Sequence, residues 1–161
     1  MPASLTAAVI TVSDRSARGE RADASGPVAV DALRLAGFAC LEATIVADGA
    51  DSVEAALRAA LAAGSRLIVT SGGTGVGPRD ATPEGTAVVL DRTVPGIAEE
   101  LRRRGALEKP AGMLTRGLAG VAGQALIVNL PGSPAGVASG MPVVLSVARH
   151  VIDQLAGGDH R

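Results

Sequence analysis

Apolar residues along the chain fall into short unbroken runs and into longer stretches with helical spacing. Residues 5–12 form a nearly continuous apolar run, which is typical of a strand covered on both faces in a parallel sheet. Further strands are predicted at residues 39–46, 66–70 and 125–130. Helical spacing predicts helices over residues 27–36, 51–62, 83–91, 95–104 and 142–155. Gly37 is expected to close the first helix, and Asp51 or Ser52 to cap the second.

This regular alternation of strands and helices indicates the fold class. It predicts an α/β fold, a three-layer αβα sandwich around a mostly parallel sheet with right-handed crossovers. A chain of 161 residues is expected to form a single domain over residues 1–161.

The segment from Ser71 to Glu84, SGGTGVGPRDATPE, follows a predicted strand and contains four glycines. Glycine can take φ > 0 and carries no Cβ, so such a run can curl its amides around a phosphate. Thr82 and Pro83 are predicted as the N-cap and first residue of the next helix, whose positive end would face the anion. Neither a P-loop nor a dinucleotide fingerprint is present, because no lysine follows a glycine and the last three glycines lie at every second position. The segment therefore predicts a phosphate site of another kind.

Polar residues follow the predicted strands at their carboxyl ends. Ser13 and Asp14 follow the first strand, Asp48 the second, the glycine segment the third, and Asn129 to Ser133 end the last. In a mostly parallel sheet these loops share one edge and can line one crevice. The carboxylates of Asp48 and Asp80 would repel a bound polyphosphate. Two like unit charges about 4 Å apart repel by about 4 kcal/mol at an effective dielectric near 20. A Mg²⁺ ion between them removes this repulsion, since Mg²⁺ is commonly held by one or two carboxylates plus substrate phosphates.

Three segments resemble the MogA/MoaB family of molybdenum cofactor biosynthesis proteins, which includes the G domain of gephyrin. They are TVSDRSARGERADASGP at residues 11–27, GGTGVGPRDATPE at residues 72–84 and NLPGSPAG at residues 129–136. The resemblance implies Mg²⁺-dependent transfer of the adenylyl group of ATP to the terminal phosphate of molybdopterin, which gives adenylyl-molybdopterin and pyrophosphate. It also implies a homotrimer, and a molybdenum-insertion protein as a possible partner that receives the product.

The resemblance assigns roles to individual residues. It implies that Asp48 is a Mg²⁺ ligand, and that Asp80 completes the metal site or positions the attacking phosphate, so both are expected to be catalytic. The substrate and nucleotide contacts expected with them are Ser13, Asp14, Ser71, Gly72, Gly73, Thr74, Gly75, Glu84, Thr115, Arg116, Asn129, Pro131, Gly132 and Ser133. Two of these have a structural alternative, since Asp14 could cap a turn and Glu84 could favour the dipole of its helix. Arg102, Arg103 and Arg104 are interpreted as cations that complement the dipole at the end of a helix before Gly105.

Composition narrows the possible partners. Hydrophobic residues make up 47% of the chain and aromatic residues 1%, with Phe38 the sole aromatic, so a bound ring would have no aromatic stacking partner. A net charge of -1 argues against general nucleic-acid binding. The N-terminus has no basic flank and no run approaches the roughly 20 apolar residues of a membrane helix, so a cytoplasmic protein with no membrane partner is expected.

Two other functions are compatible with the same residues. One is a different phosphoryl or nucleotidyl enzyme on the same scaffold, because a fold and a phosphate loop do not determine a reaction. The other is a carrier or paralogue that binds molybdopterin without adenylylating it.

Overall fold

A computed structural model describes residues 3–158. Its strands are Thr6–Val12 (β1), Ala39–Cys40 (β2), Thr44–Val46 (β3), Leu67–Ser71 (β4), Arg92–Thr93 (β5), Ala119–Ala122 (β6) and Ala125–Leu130 (β7). Its α-helices are Asp14–Ala17 (α1), Ser25–Leu35 (α2), Ala50–Ala62 (α3), Thr82–Ala87 (α4), Pro95–Glu108 (α5) and Pro134–Leu155 (α6), and a 3₁₀ helix spans Pro110–Leu114.

The strands form one mixed sheet in which parallel pairs predominate. The order across the sheet is β2, β1, β4, β7, β6, β5, and β3 also pairs with β1 on its outer side. Strands β1, β3, β4 and β7 run parallel, whereas β6 is antiparallel to both of its neighbours. The predicted α/β fold with a mostly parallel sheet is confirmed.

Alternation along the central strands sends side chains into two apolar clusters. Val9, Val69 and Val128 lie side by side on one face, where they pack with residues of α2 and α6. Ile68 and Ile127 lie on the other face and pack with residues of α3. Because both faces are covered, the strands appear in the sequence as unbroken apolar runs.

The second predicted strand, residues 39–46, is divided in two. Thr6 pairs with Ala39, but Ile10 pairs with Thr44, so the outer strand has one more residue than β1 between these pairs. One extra residue is a bulge, which interrupts the ladder locally. Leu41 in the interruption is 86% exposed.

The sequence predicted that the last helix begins at Pro142, but in the structure it begins at Pro134. Ser133 is its N-cap, and the Ser133 hydroxyl accepts a hydrogen bond from the Gly136 amide at 3.0 Å. Pro142 lies inside the helix. Within residues 3–158 this 22-residue helix is the one that could cross a membrane by length and composition, a weak indication because core helices also pass that test. Met141 and Val144 are buried in the core on its inner face.

Several predicted helix ends are also corrected. Gly37 closes α2 as predicted, with φ of 92°. Helix α3 starts at Ala50 with Gly49 as N-cap, and the Ser52 hydroxyl donates to the carbonyls of residues 47 and 49 instead of capping it. Thr82 is not an N-cap either, because α4 already includes it and its hydroxyl donates to the Gly72 carbonyl at 2.9 Å. Helix α4 ends at residue 87 and not at residue 91, and the short strand β5 that follows it is not among the predicted strands.

The arginine run does not end its helix. Helix α5 continues to Glu108, which leaves residues 102–104 in its interior, where a dipole role does not apply. Arg103 and Arg104 pair with Glu100 on the same helix. Arg102 reaches across to donate to the carbonyls of residues 115 and 117.

Candidate active site

The carboxyl ends of the parallel strands surround a polar cavity of about 370 Å³. The chain passes from β1 to β3 on one side of β1 and then returns to β4 on the other side, so the loops after β1 and β4 diverge there. Such a switch point is where open α/β sheets bind ligands. Of the predicted site residues, eight line this polar cavity: Ser13, Asp48, Ser71, Gly72, Gly73, Asp80, Gly132 and Ser133.

Two glycines after β4 allow the backbone to turn into this cavity. Gly72 has φ of 101°, and a Cβ there would lie 2.2 Å from the Val12 carbonyl oxygen. Gly73 has φ of 69°, and its Cβ would lie 2.3 Å from the Thr82 hydroxyl. Both positions therefore combine a backbone conformation that favours glycine with an approach that excludes any side chain. The Gly72 amide donates to the Leu130 carbonyl, which ties the loop to the end of β7.

Asp14, Asp48 and Arg79 form a linked group beside the polar cavity. The amide of Asp14 donates to the Asp48 carboxylate at 3.0 Å, and the amide of Asp48 donates to the Asp14 carboxylate at 3.1 Å. Arg79 donates to both Asp14 oxygens at 3.1 Å and to the Asp48 carbonyl at 2.9 Å. The hydrogen-bonded Arg79 guanidinium lowers the pKa of Asp14. Burial raises the pKa of Asp48, and the charges of Asp14 and Asp80 raise it further.

Asp80 lies over the curve of the glycine loop, residues 72–81 between β4 and α4. Its carboxylate accepts from the Gly77 amide at 2.9 Å. A Cβ at Gly75 or Gly77 would lie 2.9 Å or 3.0 Å from the Asp80 Oδ2, so the carboxylate rests against two residues without side chains. Its position therefore depends on the curvature of this loop.

The carboxylates suit a cation that the substrate helps to bind. Among residues 3–158, no three His, Cys, Asp or Glu side chains are grouped closely enough to hold a metal ion by themselves. Asp48 and Asp80 nevertheless both face the polar cavity, where burial raises the pKa of Asp48 and the Asp80 charge adds to that effect. This donor set fits Mg²⁺, which takes few carboxylates and completes its coordination with water and phosphate oxygens.

An apolar cavity of about 410 Å³ adjoins the polar one. Ser133 lines both cavities. Much of the apolar wall is aliphatic or glycine, with Ala98, Leu101 and Leu114 among its residues. Six predicted site residues line it: Thr74, Gly75, Thr115, Asn129, Pro131 and Ser133.

Asn129 lines this cavity, but its amide group is used within the protein. Its Nδ2 donates to the hydroxyls of Thr70 and Thr86, at 2.9 Å and 3.0 Å. Its Oδ1 accepts from the Leu118 amide at 3.0 Å. Asn129 is 3% exposed, so its side-chain amide serves mainly to stabilise the fold through these hydrogen bonds.

Three predicted site residues, Asp14, Glu84 and Arg116, do not line either cavity. Asp14 forms an ion pair with Arg79. Glu84 forms an ion pair with Arg116.

Other residues of the polar cavity were not predicted from the sequence. Asp23 accepts from the Thr11 hydroxyl at 2.8 Å and from the Gly26 amide at 2.9 Å. The hydroxyl of Ser71 donates to that of Ser25 at 2.9 Å. Arg21 lines the same cavity. Asp23 ahead of Ser25 is a helix-start signal, but a predicted start at residue 27 left both in a loop.

Fold and site together define a class: α/β proteins with a glycine-lined polar cavity at the carboxyl edge of a mostly parallel sheet. A family model described as a probable molybdopterin binding domain matches residues 8–150. The chain belongs to this family, and the resemblance to MogA/MoaB proteins is confirmed.

Individual relatives cover almost the entire chain. The molybdenum cofactor biosynthesis bifunctional protein of Synechococcus elongatus is 40% identical over 98% of this chain and 50% of its own length. The molybdopterin adenylyltransferase of Pyrococcus furiosus is 38% identical over 89% of this chain and 87% of its own. The solved structure of the molybdopterin biosynthesis Mog protein from Mycobacterium ulcerans has a TM-score of 0.89 at 47% identity, over 94% of this chain and 99% of that one. The chain thus spans about half the length of the bifunctional relative.

Proposed function

We propose that this chain acts in molybdenum cofactor biosynthesis as a molybdopterin adenylyltransferase. The terminal phosphate oxygen of molybdopterin forms a bond to the α-phosphorus of ATP. The bond from that phosphorus to the oxygen bridging to the β-phosphate breaks, and pyrophosphate leaves. The products are adenylyl-molybdopterin and pyrophosphate.

One observation carries this proposal: two carboxylates and a glycine loop face a polar cavity that adjoins an apolar cavity at Ser133. Each cavity falls within the usual range for small-molecule sites of about 300–1,000 Å³. The polar cavity suits phosphates and a divalent cation, and the apolar one suits a ring system. Relatives named molybdopterin adenylyltransferase support the choice of substrates.

The residues act by alignment and charge neutralisation. A phosphate monoester has its second pKa near 6, so the nucleophile is already ionised at neutral pH and needs no general base. Asp48 and Asp80 would hold Mg²⁺, which when bound neutralises phosphate charge and polarises the α-phosphoryl group. Residues 72–73 and 132–133, which line the polar cavity, bind and orient the phosphates through backbone and hydroxyl groups, so that the reacting atoms are held in line.

The experiment is a pyrophosphate-release assay with purified protein, ATP, Mg²⁺ and molybdopterin. We expect release by the wild type and a loss of at least about 10²-fold in Asp80→Asn, the scale of losing one charge-stabilising group, with molybdopterin binding retained. Asp31→Asn, an exposed carboxylate on α2, is the matched control and should release pyrophosphate normally.

The carrier function would be favoured by a specific result. If the wild type binds molybdopterin tightly and releases no pyrophosphate, the chain is a binding protein and the proposed reaction is wrong. Equal activity in Asp80→Asn and Asp31→Asn would be consistent with the proposed reaction but would show that Asp80 takes no part in it.

The same proposal covers the surroundings of the enzyme. We place residues 1–161 in one molybdopterin-binding domain of a cytoplasmic homotrimer that passes its product to a molybdenum-insertion protein. The bifunctional relatives support the idea that this domain works beside a second activity. Sedimentation equilibrium would contradict the trimer if the mass were not three times 15.9 kDa.

A further inference from the structure

Arg116 was expected to contact the substrate, but its guanidinium is bound to other groups of the protein. Its Nε donates to the Gly75 carbonyl at 2.8 Å and its Nη2 to the Asp80 carbonyl at 2.9 Å. Its Nη1 pairs with Glu84 at the start of α4. All three guanidinium nitrogens therefore donate to the glycine loop or to the helix that follows it.

The backbone beside Arg116 holds the same loop. The Arg116 amide donates to the Thr74 carbonyl at 2.7 Å. The Thr115 hydroxyl donates to the Thr74 hydroxyl at 3.0 Å. Arg102 in turn donates to the carbonyls of Thr115 and Gly117, which anchors this segment to α5. The loop is thus held from outside at Thr74, Gly75 and Asp80.

The contacts of Arg116 lie on both sides of Gly77, which supports the Asp80 carboxylate. The carboxylate rests on Gly75 and Gly77 and accepts from the Gly77 amide. Arg116 holds the carbonyls of Gly75 and Asp80, one on each side of Gly77. Because a planar guanidinium has its donors in a fixed fork, it sets the distance between these two carbonyls. That distance determines the curve of the loop over residues 75–80.

From this geometry we propose that Arg116 is a positioning residue that holds the Asp80 carboxylate in place and does not bind substrate. The inference rests on the proposed function, since Asp80 matters only if it serves the adenylyl transfer. A lysine cannot replace this arginine, because one ammonium group has no fork with which to hold both carbonyls at a set spacing. A displacement of about 1 Å at a catalytic group can cost on the order of 10²-fold in rate.

The kinetic test compares Arg116→Lys and Arg116→Ala with the wild type in the pyrophosphate-release assay. We expect kcat to fall by about 10- to 100-fold in both variants, while KM for ATP and for molybdopterin stays within about threefold. Millimolar guanidinium should restore part of the lost kcat in Arg116→Ala, because it can occupy the vacated fork. Arg103→Ala is the matched control, since Arg103 is an exposed arginine whose one ion pair within residues 3–158 is with Glu100. Neither the kcat of this variant nor its response to guanidinium should change.

A second measurement does not depend on activity. Hydrogen exchange should become faster in the peptide covering residues 71–84 of Arg116→Lys and stay unchanged in the central strands. Unchanged loop exchange, or a KM for one substrate that rises tenfold with kcat retained, would overturn the inference and make Arg116 a substrate contact. If the wild type releases no pyrophosphate, the proposed function fails, while the exchange measurement still decides whether Arg116 positions the loop.

Discussion

Replacing Gly72 by alanine tests how the glycine loop leaves the sheet after β4. Gly72 has φ of 101°, and a Cβ there would lie 2.2 Å from the Val12 carbonyl oxygen. Real Cβ atoms essentially never come closer than 3.0 Å, so one of the two backbones must move. Val12 pairs with Val46 at the end of β1, which also limits its movement.

Gly64 offers a matched control for the conformational part of the cost. It has φ of 90°, and a Cβ there would have no neighbour within 4 Å. Alanine at Gly64 should therefore cost only the left-handed conformation, about 1–2 kcal/mol. Alanine at Gly72 adds the strain of an overpacked site, about 1–3 kcal/mol more.

Urea unfolding of the two variants measures the difference directly. With a urea slope of about 1–3 kcal/mol per molar, a further 2 kcal/mol lowers the midpoint of Gly72→Ala by about 1 M below that of Gly64→Ala. Gly72→Ala should also lose pyrophosphate release, whereas Gly64→Ala should keep it. If the free energies of unfolding of the two variants agree within about 0.5 kcal/mol, the close approach of the loop to β1 is wrong.

Further predictions concern the charges and the buried amide of the site. Arg79 lowers the pKa of Asp14, so ionised Asp14 stabilises the fold above its ordinary pKa of 3.8 and that contribution is lost as the pH falls through its lower folded pKa. Burial raises the pKa of Asp48, so ionised Asp48 destabilises the fold at neutral pH, and the penalty disappears as the pH falls to 3.8. In urea unfolding with EDTA at neutral pH, Asp14→Asn should therefore be less stable than the wild type and Asp48→Asn more stable; shifts of the same sign would contradict this. Asn129→Ala should cost about 3 kcal/mol of unfolding free energy, because it leaves the Leu118 amide and the Thr70 hydroxyl without their partner; a loss below about 1 kcal/mol would show that water replaces it.

The fold was largely predictable because buried parallel strands have a distinctive pattern. Residues 125–130 are apolar except for Asn129, and both faces of β7 are covered. The short strand β6, Ala119–Ala122, contains only small side chains and a glycine and so carries no such pattern. The start of α6 was missed because Pro134 and Pro142 both have the character of a first helical residue, and the capping bond of Ser133 is visible only in the structure.

The convergence of the site was also predictable, since parallel strands bring their carboxyl ends to one edge. What the sequence could not indicate is which charged groups pair across that edge. Arg79 binds Asp14 across 65 positions, and Arg116 binds the glycine loop across 41 positions at Gly75. Such pairs depend on side-chain directions set by tertiary packing, which no local pattern records.

The central claim, adenylyl transfer at the polar cavity, is tested most directly by following the label from ATP. Purified protein is incubated with molybdopterin and Mg²⁺, together with ATP labelled at either the α- or the γ-phosphate. We predict that α-label moves to molybdopterin, with one pyrophosphate released per label transferred, and that γ-label appears only in pyrophosphate. Transfer of γ-label to the pterin, or α-label that remains in ATP, would contradict the claim.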